Sequence, residues 1–181
     1  AQQLPGKLIL IPDIPGYKTL KCDFHMHTVF SDGDVWPTVR VEEAWQEGLD
    51  AIAITDHIEY QSHKDDISQD LNRPYKLAEN AAARAGIILI KALEITRGMP
   101  PGHFNALYVK EVDSLKKADQ INVLKAAKDQ GSFVFWNHPG WIRQAPDGIK
   151  WYDIHTEILK KGLFQGIEVA NDNDFYPEAL G

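Results

Sequence analysis

Leu20-Lys21-Cys22-Asp23-Phe24-His25-Met26-His27-Thr28, followed shortly by Ser31-Asp32-Gly33, is the stretch on which the reading of this chain turns. The run Leu20–Phe24 reads as a strand that leads into two alternating histidines and then a Ser-Asp-Gly turn. Alternate side chains of a strand project to the same side, so His25 and His27 point together. Two imidazoles side by side suit one divalent metal. Such a pair is a poor candidate for an accident in a chain with only seven histidines. Further histidines stand in Thr55-Asp56-His57, Gly102-His103-Phe104-Asn105 and Asn137-His138-Pro139. Each lies at or near the end of a strand-like apolar run.

Outward from this stretch the chain alternates. Strand-like runs occur at Leu20–Phe24, Ala51–Thr55, Ile87–Leu93, Phe104–Val109, Ser132–Trp136 and Gly166–Ala170. Helical patterns fill most of the gaps. Pro37 opens one that carries Val41, Ala44, Trp45 and Leu49, with Gly48 near its end. A second runs from about Pro74 to Ala85 and stops at Gly86. A third starts at Asp119 as a cap, carries Ile121 and Leu124, and ends at Gly131. A fourth runs from Ile154 to Lys161 and stops at Gly162. Four of the five gaps between strands thus hold a helix, which predicts an α/β fold of βαβ units around a parallel sheet. The gap between Leu93 and Phe104 holds only the Gly-Met-Pro-Pro-Gly turn. His25, His27, His57, Glu94 and His138 follow the carboxyl ends of strands, where active sites of such sheets gather, whereas His103 opens one.

The totals set bounds on these readings. A chain of 181 residues supports one domain with a substantial core, read here as residues 19–181 behind an N-terminal extension of residues 1–18. A hydrophobic content of 44% and a charged content of 25% are ordinary for a globular protein. No apolar stretch approaches the roughly 20 residues of a membrane span, so the chain reads as soluble. Its start at Ala1 fits either a processed, secreted or periplasmic form, or a boundary inside a cytoplasmic protein. A formal charge of −7 counts against an extended nucleic-acid surface but not against a phosphorylated small molecule, since bound cations would dominate the local field. Oligomeric state is not legible. The single cysteine, Cys22, reads as core filling.

Each candidate has a plainer alternative. Asp32 either begins a turn with Gly33 or serves as a ligand. His57 could cap a helix or lie on the surface. Glu94 ends the apolar run Ile-Ile-Leu-Ile-Lys-Ala-Leu, where an unpaired carboxylate is costly to bury, so bridging cations is the better reading. His103 and His138 sit beside Gly and Pro in tight loops and gain weight from each other. Asp23 and Asp56 neighbour the histidines as partners that would orient imidazole rings. His63 reads as a solvated loop residue, and Asp153 as the cap of the helix that contains His155. Arg143, beyond His138-Pro139-Gly140, is the first candidate for a phosphate clamp and Arg97 the second. No Ser-His-Asp or Cys-His nucleophile and no phosphate-cradling Gly-rich loop is present. The chemistry should therefore come from metals.

The order of these motifs resembles the PHP (polymerase and histidinol phosphatase) family. It is carried by Asp23-Phe24-His25-Met26-His27-Thr28, Ser31-Asp32-Gly33-Asp34, Thr55-Asp56-His57, Glu94, His103 and Asn137-His138-Pro139, and spans about Leu20 to Asn171. The resemblance implies a distorted seven-stranded β/α barrel, comparable to a TIM barrel, with two or three divalent ions (Zn, Mn or Fe). It implies that His25, His27 and Glu94 hold the first ion, that Glu94, His103 and His138 hold a second, and that Asp32 and His57 help to hold a third. The family closes its site with an Asp-x-His after a last strand. No such pair follows Gly166–Asn171, and Tyr176–Leu180 reads as the start of another helix, so the chain reads as a piece lacking its last strand or strands.

The activity implied is hydrolysis of a phosphate ester of a small molecule or nucleotide by a metal-activated hydroxide. Glu94, Asp56 and Arg143 are the residues expected to serve the reaction directly. Competing readings are a nuclease or proofreading-type module on nucleic-acid ends, a metal-binding domain without turnover, and metal-dependent hydrolysis of something other than a phosphate.

Overall fold

The computed structural model describes residues 6–117, 119–171 and 174–180. Residues 1–5 of the expected N-terminal extension, and Gly181, lie outside the described residues. The chain forms two compact units. One comprises the described residues up to Asp56 together with Gln61–Lys91; the other comprises His57–Tyr60 and the described residues from Ala92 onward.

The first unit contains β1 (Cys22–Met26), α1 (Pro37–Glu47), β2 (Ala51–Ile54), α2 (Arg73–Ala85) and the first half of β3 (Ile88–Ile95). β1 pairs with β2 and β2 with β3, both parallel, as the helical crossovers require. β2 is buried along its whole length, hence its unbroken Ala-Ile-Ala-Ile sequence. Ile52 and Ile54 meet Val41 and Ala44 of α1 and Ala78 and Ala82 of α2 in one apolar cluster. Pro37 opens α1 where its missing N–H costs nothing, and Gly48 ends it at φ 77°. A Cβ on Gly48 would also stand 2.2 Å from the Lys7 carbonyl oxygen, so the position admits only glycine. Cys22, expected in the core, is exposed instead. It lies at the start of an outer strand, where its side chain has no layer to pack beneath.

The second unit contains the rest of β3, β4 (Phe104–Leu107), a 3-10 turn at Val112–Leu115, α3 (Gln120–Asp129), β5 (Phe133–Trp136), α4 (Asp153–Lys160) and β6 (Gly166–Ile167). A short hairpin, β7 (Ala170–Asn171) with β8 (Asp174–Phe175), and a 3-10 turn at Pro177–Leu180 follow. Strand order is β3-β4-β5-β6, and here the all-parallel expectation fails. β4 runs antiparallel to both β3 and β5; only β5 and β6 are parallel. The segment between β3 and β4 has no helix to carry the chain back to the starting edge, so the strand returns in the opposite sense. The consequence is functional: the beginning of β4 lies beside the ends of β3 and β5, with Phe104 opposite both Ile95 and Trp136. The run read as one strand at Gly166–Ala170 is split between β6 and β7, and the helix expected at Tyr176–Leu180 is the 3-10 turn.

Helix caps explain two further details. Asp119 caps α3, its side chain accepting from the Asn122 N–H. Asp153 does not cap α4; it is the first helical residue, and the Tyr152 N–H donates to His155 Nδ1 at 3.0 Å. A carboxylate in the first turn still complements the helix dipole. His155 is fully buried, with Trp136 4.3 Å from its ring centroid and its Nε2 2.8 Å from the Pro101 carbonyl oxygen. The neutral ring, proton on Nε2, satisfies both bonds, and burial pushes its pKa down. Protonation is therefore cheaper in the unfolded chain, whose histidine titrates near 6.5, so stability falls as pH drops below about 6.5. Thermal unfolding followed from pH 8 to pH 5 should show this fall, and His155→Gln, though less stable at pH 8, should flatten it.

Candidate metal centre

Glu94 is the point around which the second unit arranges its polar side chains. It lies near the end of β3 with no exposed surface. His57 pairs beside it through a parallel bridge, the Ile58 N–H donating to the Glu94 carbonyl at 2.9 Å. His103 immediately precedes β4, and the reversal of that strand brings it alongside. His138 follows β5, where the Asn137 N–H donates to the His103 carbonyl at 2.9 Å and continues the strand pairing by one step. Three ring nitrogens thus face the same carboxylate oxygen. His103 Nδ1 is 2.6 Å, His57 Nδ1 3.7 Å and His138 Nε2 3.8 Å from Glu94 Oε1. Ligand atoms of His57, Glu94 and His103 all lie within 4.8 Å of one another.

Neighbouring groups hold these rings in place. Thr96 Oγ1 is 2.6 Å from His57 Nδ1. Gln144 Nε2 is 2.8 Å from His103 Nε2. Trp141 stands against the rings of both His103 and His138, at 6.1 and 5.2 Å between centroids. His138 has φ 28°, a left-handed conformation uncommon for a side-chain-bearing residue, and its N–H donates to Glu168 Oε2 at 2.7 Å. Beneath it, buried Asn105 and Asn137 exchange bonds: the Asn105 N–H donates to Asn137 Oδ1, and Asn137 Nδ2 to Asn105 Oδ1.

The donor set fits a divalent cation. A carboxylate with no exposure needs a counter-charge. Burial pushes the His103 pKa down, partly opposed by Glu94, so this ring is poorly suited to supply one as an imidazolium. Neutral imidazoles around a carboxylate are ligands for zinc, manganese or iron.

In the first unit His25 and His27 project together as expected, their rings 5.1 Å apart and edge to face. His27 Nδ1 is 3.6 Å from Asp32 Oδ1. The Ser-Asp-Gly turn is held tightly against this segment. The N–H groups of Ser31 and Gly33 both donate to the Thr28 carbonyl, and a Cβ on Gly33 would meet the His27 carbonyl oxygen at 2.5 Å. Buried Asp56 accepts from the Thr28 N–H, the Thr28 hydroxyl and the Ser31 hydroxyl, each at 2.7 Å. It was expected to orient an imidazole directly. Its described bonds instead fix the turn, and it reaches His27 only through Ser31 Oγ, 3.4 Å from His27 Nδ1. Asp23 likewise accepts from the main-chain N–H of His25.

Of the two arginines, Arg97 is committed elsewhere: it pairs with Glu59 and donates to the carbonyls of Thr96 and Lys117. Arg143 is exposed, with its guanidinium carbon 5.8 Å from the Trp141 ring centroid. His63 is exposed, as read from the sequence. His155, for which the sequence reading gave no place beyond the helix that contains it, is a core residue. Thr96, Trp141, Gln144 and Glu168 escaped that reading. Thr96 had a signal, since it lies two residues beyond Glu94 on the same side of the strand. Gln144 had none.

Residues 23–136, more than half of the chain, match the PHP domain family. The chain belongs to that family. Among solved structures it is similar to a two-domain protein from Bacteroides vulgatus containing a predicted PHP-like metal-dependent phosphoesterase, with 53% identity and a TM-score of 0.95 over 99% of this chain. The chain spans 52%, about half, of that protein. It shares 27% identity over 154 residues with an uncharacterized protein of Methanocaldococcus jannaschii, covering 78% of this chain and 69% of that one. The fold also recurs, at 18% identity and a TM-score of 0.63, in a Bifidobacterium adolescentis protein named as a candidate metal-dependent phosphoesterase, over 90% of this chain and 82% of that one.

The Thr96 hydroxyl fixes the orientation of the His57 ring in this PHP domain. Thr96→Val should weaken binding of a divalent ion about tenfold or more, with an unchanged circular dichroism spectrum. Competition with a metal-binding dye measures this, and an unchanged affinity would remove Thr96 from the site.

Proposed function

We propose that this PHP domain hydrolyses a phosphate ester of a small molecule or nucleotide with the help of two or three divalent ions. The observation that carries the reading is the fully buried Glu94 carboxylate with three imidazole nitrogens turned toward it. The kinship with the Bacteroides vulgatus protein supports it. In this proposal Glu94, His103 and His138 would hold one ion, and His25 and His27 would serve as ligands of another, as the resemblance implies. Asp32 and His57 serve a third. The strands described here then belong to the distorted seven-stranded β/α barrel that the resemblance implies.

When bound, such ions would lower the pKa of water to about 7 and offset charge on phosphoryl oxygens. The protein's own groups do the rest. Glu94 supplies the buried negative charge that makes the site selective for cations. Asp56 keeps the Thr28–Ser31 turn in shape and so fixes the segment bearing His27. Arg143 offers paired N–H donors to the substrate phosphate from a position beside Trp141. No helix among the described residues is long and apolar enough to cross a bilayer.

The test is hydrolysis of an aryl phosphate and of a nucleoside monophosphate by the metal-loaded chain. Activity should vanish on chelation and return on adding back the divalent ion. Arg143→Ala should raise KM about tenfold, with metal content unaltered. Unchanged kinetics in that variant would take Arg143 out of the reaction, and no hydrolysis of either ester by a fully loaded protein would refute the reading.

A further inference from the structure

Two buried polar atoms beside Glu94 are left without a hydrogen bond, and they belong to residues that touch each other. They are His103 Nδ1 and Gln144 Oε1. Buried polar atoms are rarely left so, and both here lie one bond away from a well-made contact. Gln144 Nε2 sits 2.8 Å from His103 Nε2 and 3.3 Å from the Arg97 carbonyl oxygen. An amide NH₂ can only donate, so His103 Nε2 is the acceptor in that contact. The ring proton is therefore on Nδ1, which faces Glu94 Oε1 at 2.6 Å but off the line of a good hydrogen bond. In this arrangement Nδ1 has no lone pair to offer a cation.

We infer that Gln144 is a positioning residue that sets the tautomer of His103, and that its amide turns over when Nδ1 takes a cation. Half a turn of the amide puts Oε1 where Nε2 stood. Oε1 then accepts from His103 Nε2–H, the Nδ1 lone pair is free, and both orphaned atoms are satisfied. The turn gives up the longer bond to the Arg97 carbonyl and carries Nε2 to the place where Oε1 had no partner, a cost that the cation held by Nδ1 has to offset. The ring loses its proton at Nδ1 and gains one at Nε2, so its charge is the same before and after and His103 releases no net proton on loading. The inference rests on His103 being a metal ligand, as proposed above.

The experiment is ¹⁵N-histidine NMR of the metal-free chain, together with divalent-ion affinity of wild type, Gln144→Glu and Gln144→Met. Metal-free wild type should show His103 protonated on Nδ1. Gln144→Glu, which can only accept, should show the proton on Nε2 without metal and should keep at least wild-type affinity. Gln144→Met, which can do neither, should bind about tenfold more weakly. A wild-type ring already protonated on Nε2 would overturn the inference, as would a Gln144→Met variant with wild-type affinity. The spectrum of the metal-free protein reads the tautomer whether or not metal binds. Failure of wild type to bind any ion would therefore refute the ligand assignment separately.

Discussion

A carboxylate withdrawn completely from water is the constraint on which this protein's polar architecture depends. Glu94 closes an apolar strand, and an isolated charge there would cost far more than any single side-chain contact returns. The surrounding residues answer that cost by converging on it: three imidazoles from three separate chain segments, each braced by a further group. Thr96, Gln144 and Trp141 stand against the rings themselves, and Glu168 holds the main chain of His138, an arrangement that aims the imidazoles. Such bracing costs conformational freedom, and it makes sense at a centre whose ligands must be preorganised for a cation.

The reversed strand β4 is how the fold makes this convergence. In a wholly parallel sheet a residue at the start of a strand would lie at the opposite rim from residues at strand ends. Because β4 runs antiparallel to its neighbours, His103 at its start stands with Glu94 at the end of β3 and His138 beyond the end of β5. The Asn105–Asn137 exchange and the Asn137-to-His103 main-chain bond lock this meeting point. The left-handed backbone at His138 is strain placed at the one position where the chain must turn to aim a ring, and the Glu168 carboxylate holds it there.

Much of this was legible in the sequence because the signals were local. The Pro37 start and Gly48 stop of α1, the Asp119 cap of α3 and the alternation of His25 with His27 each depend on a few adjacent residues. Glu94 was legible because its apolar context made a surface role implausible. The direction of β4 was not read correctly, since the helix between it and β5 argued for a parallel pairing and only the short preceding turn argued against. Cys22 was misplaced because a strand residue beside a core motif can still face outward at a sheet margin. Asp56 was assigned to a ring and bonds a turn instead, a distinction of partners that sequence spacing does not encode. Gln144 and Glu168 meet the histidines only through tertiary packing.

The most direct test of the account is the effect of a divalent ion on thermal unfolding of the wild-type chain and of Glu94→Gln. A site built around a buried carboxylate binds the ion only in the folded state, so saturating Zn²⁺ or Mn²⁺ should raise the wild-type Tm by several degrees. Glu94→Gln keeps the shape without the charge, and its Tm should be nearly indifferent to the ion. A wild-type Tm that the ion leaves unmoved, or an equal rise in both proteins, would contradict the claim that Glu94 is the core of a metal centre.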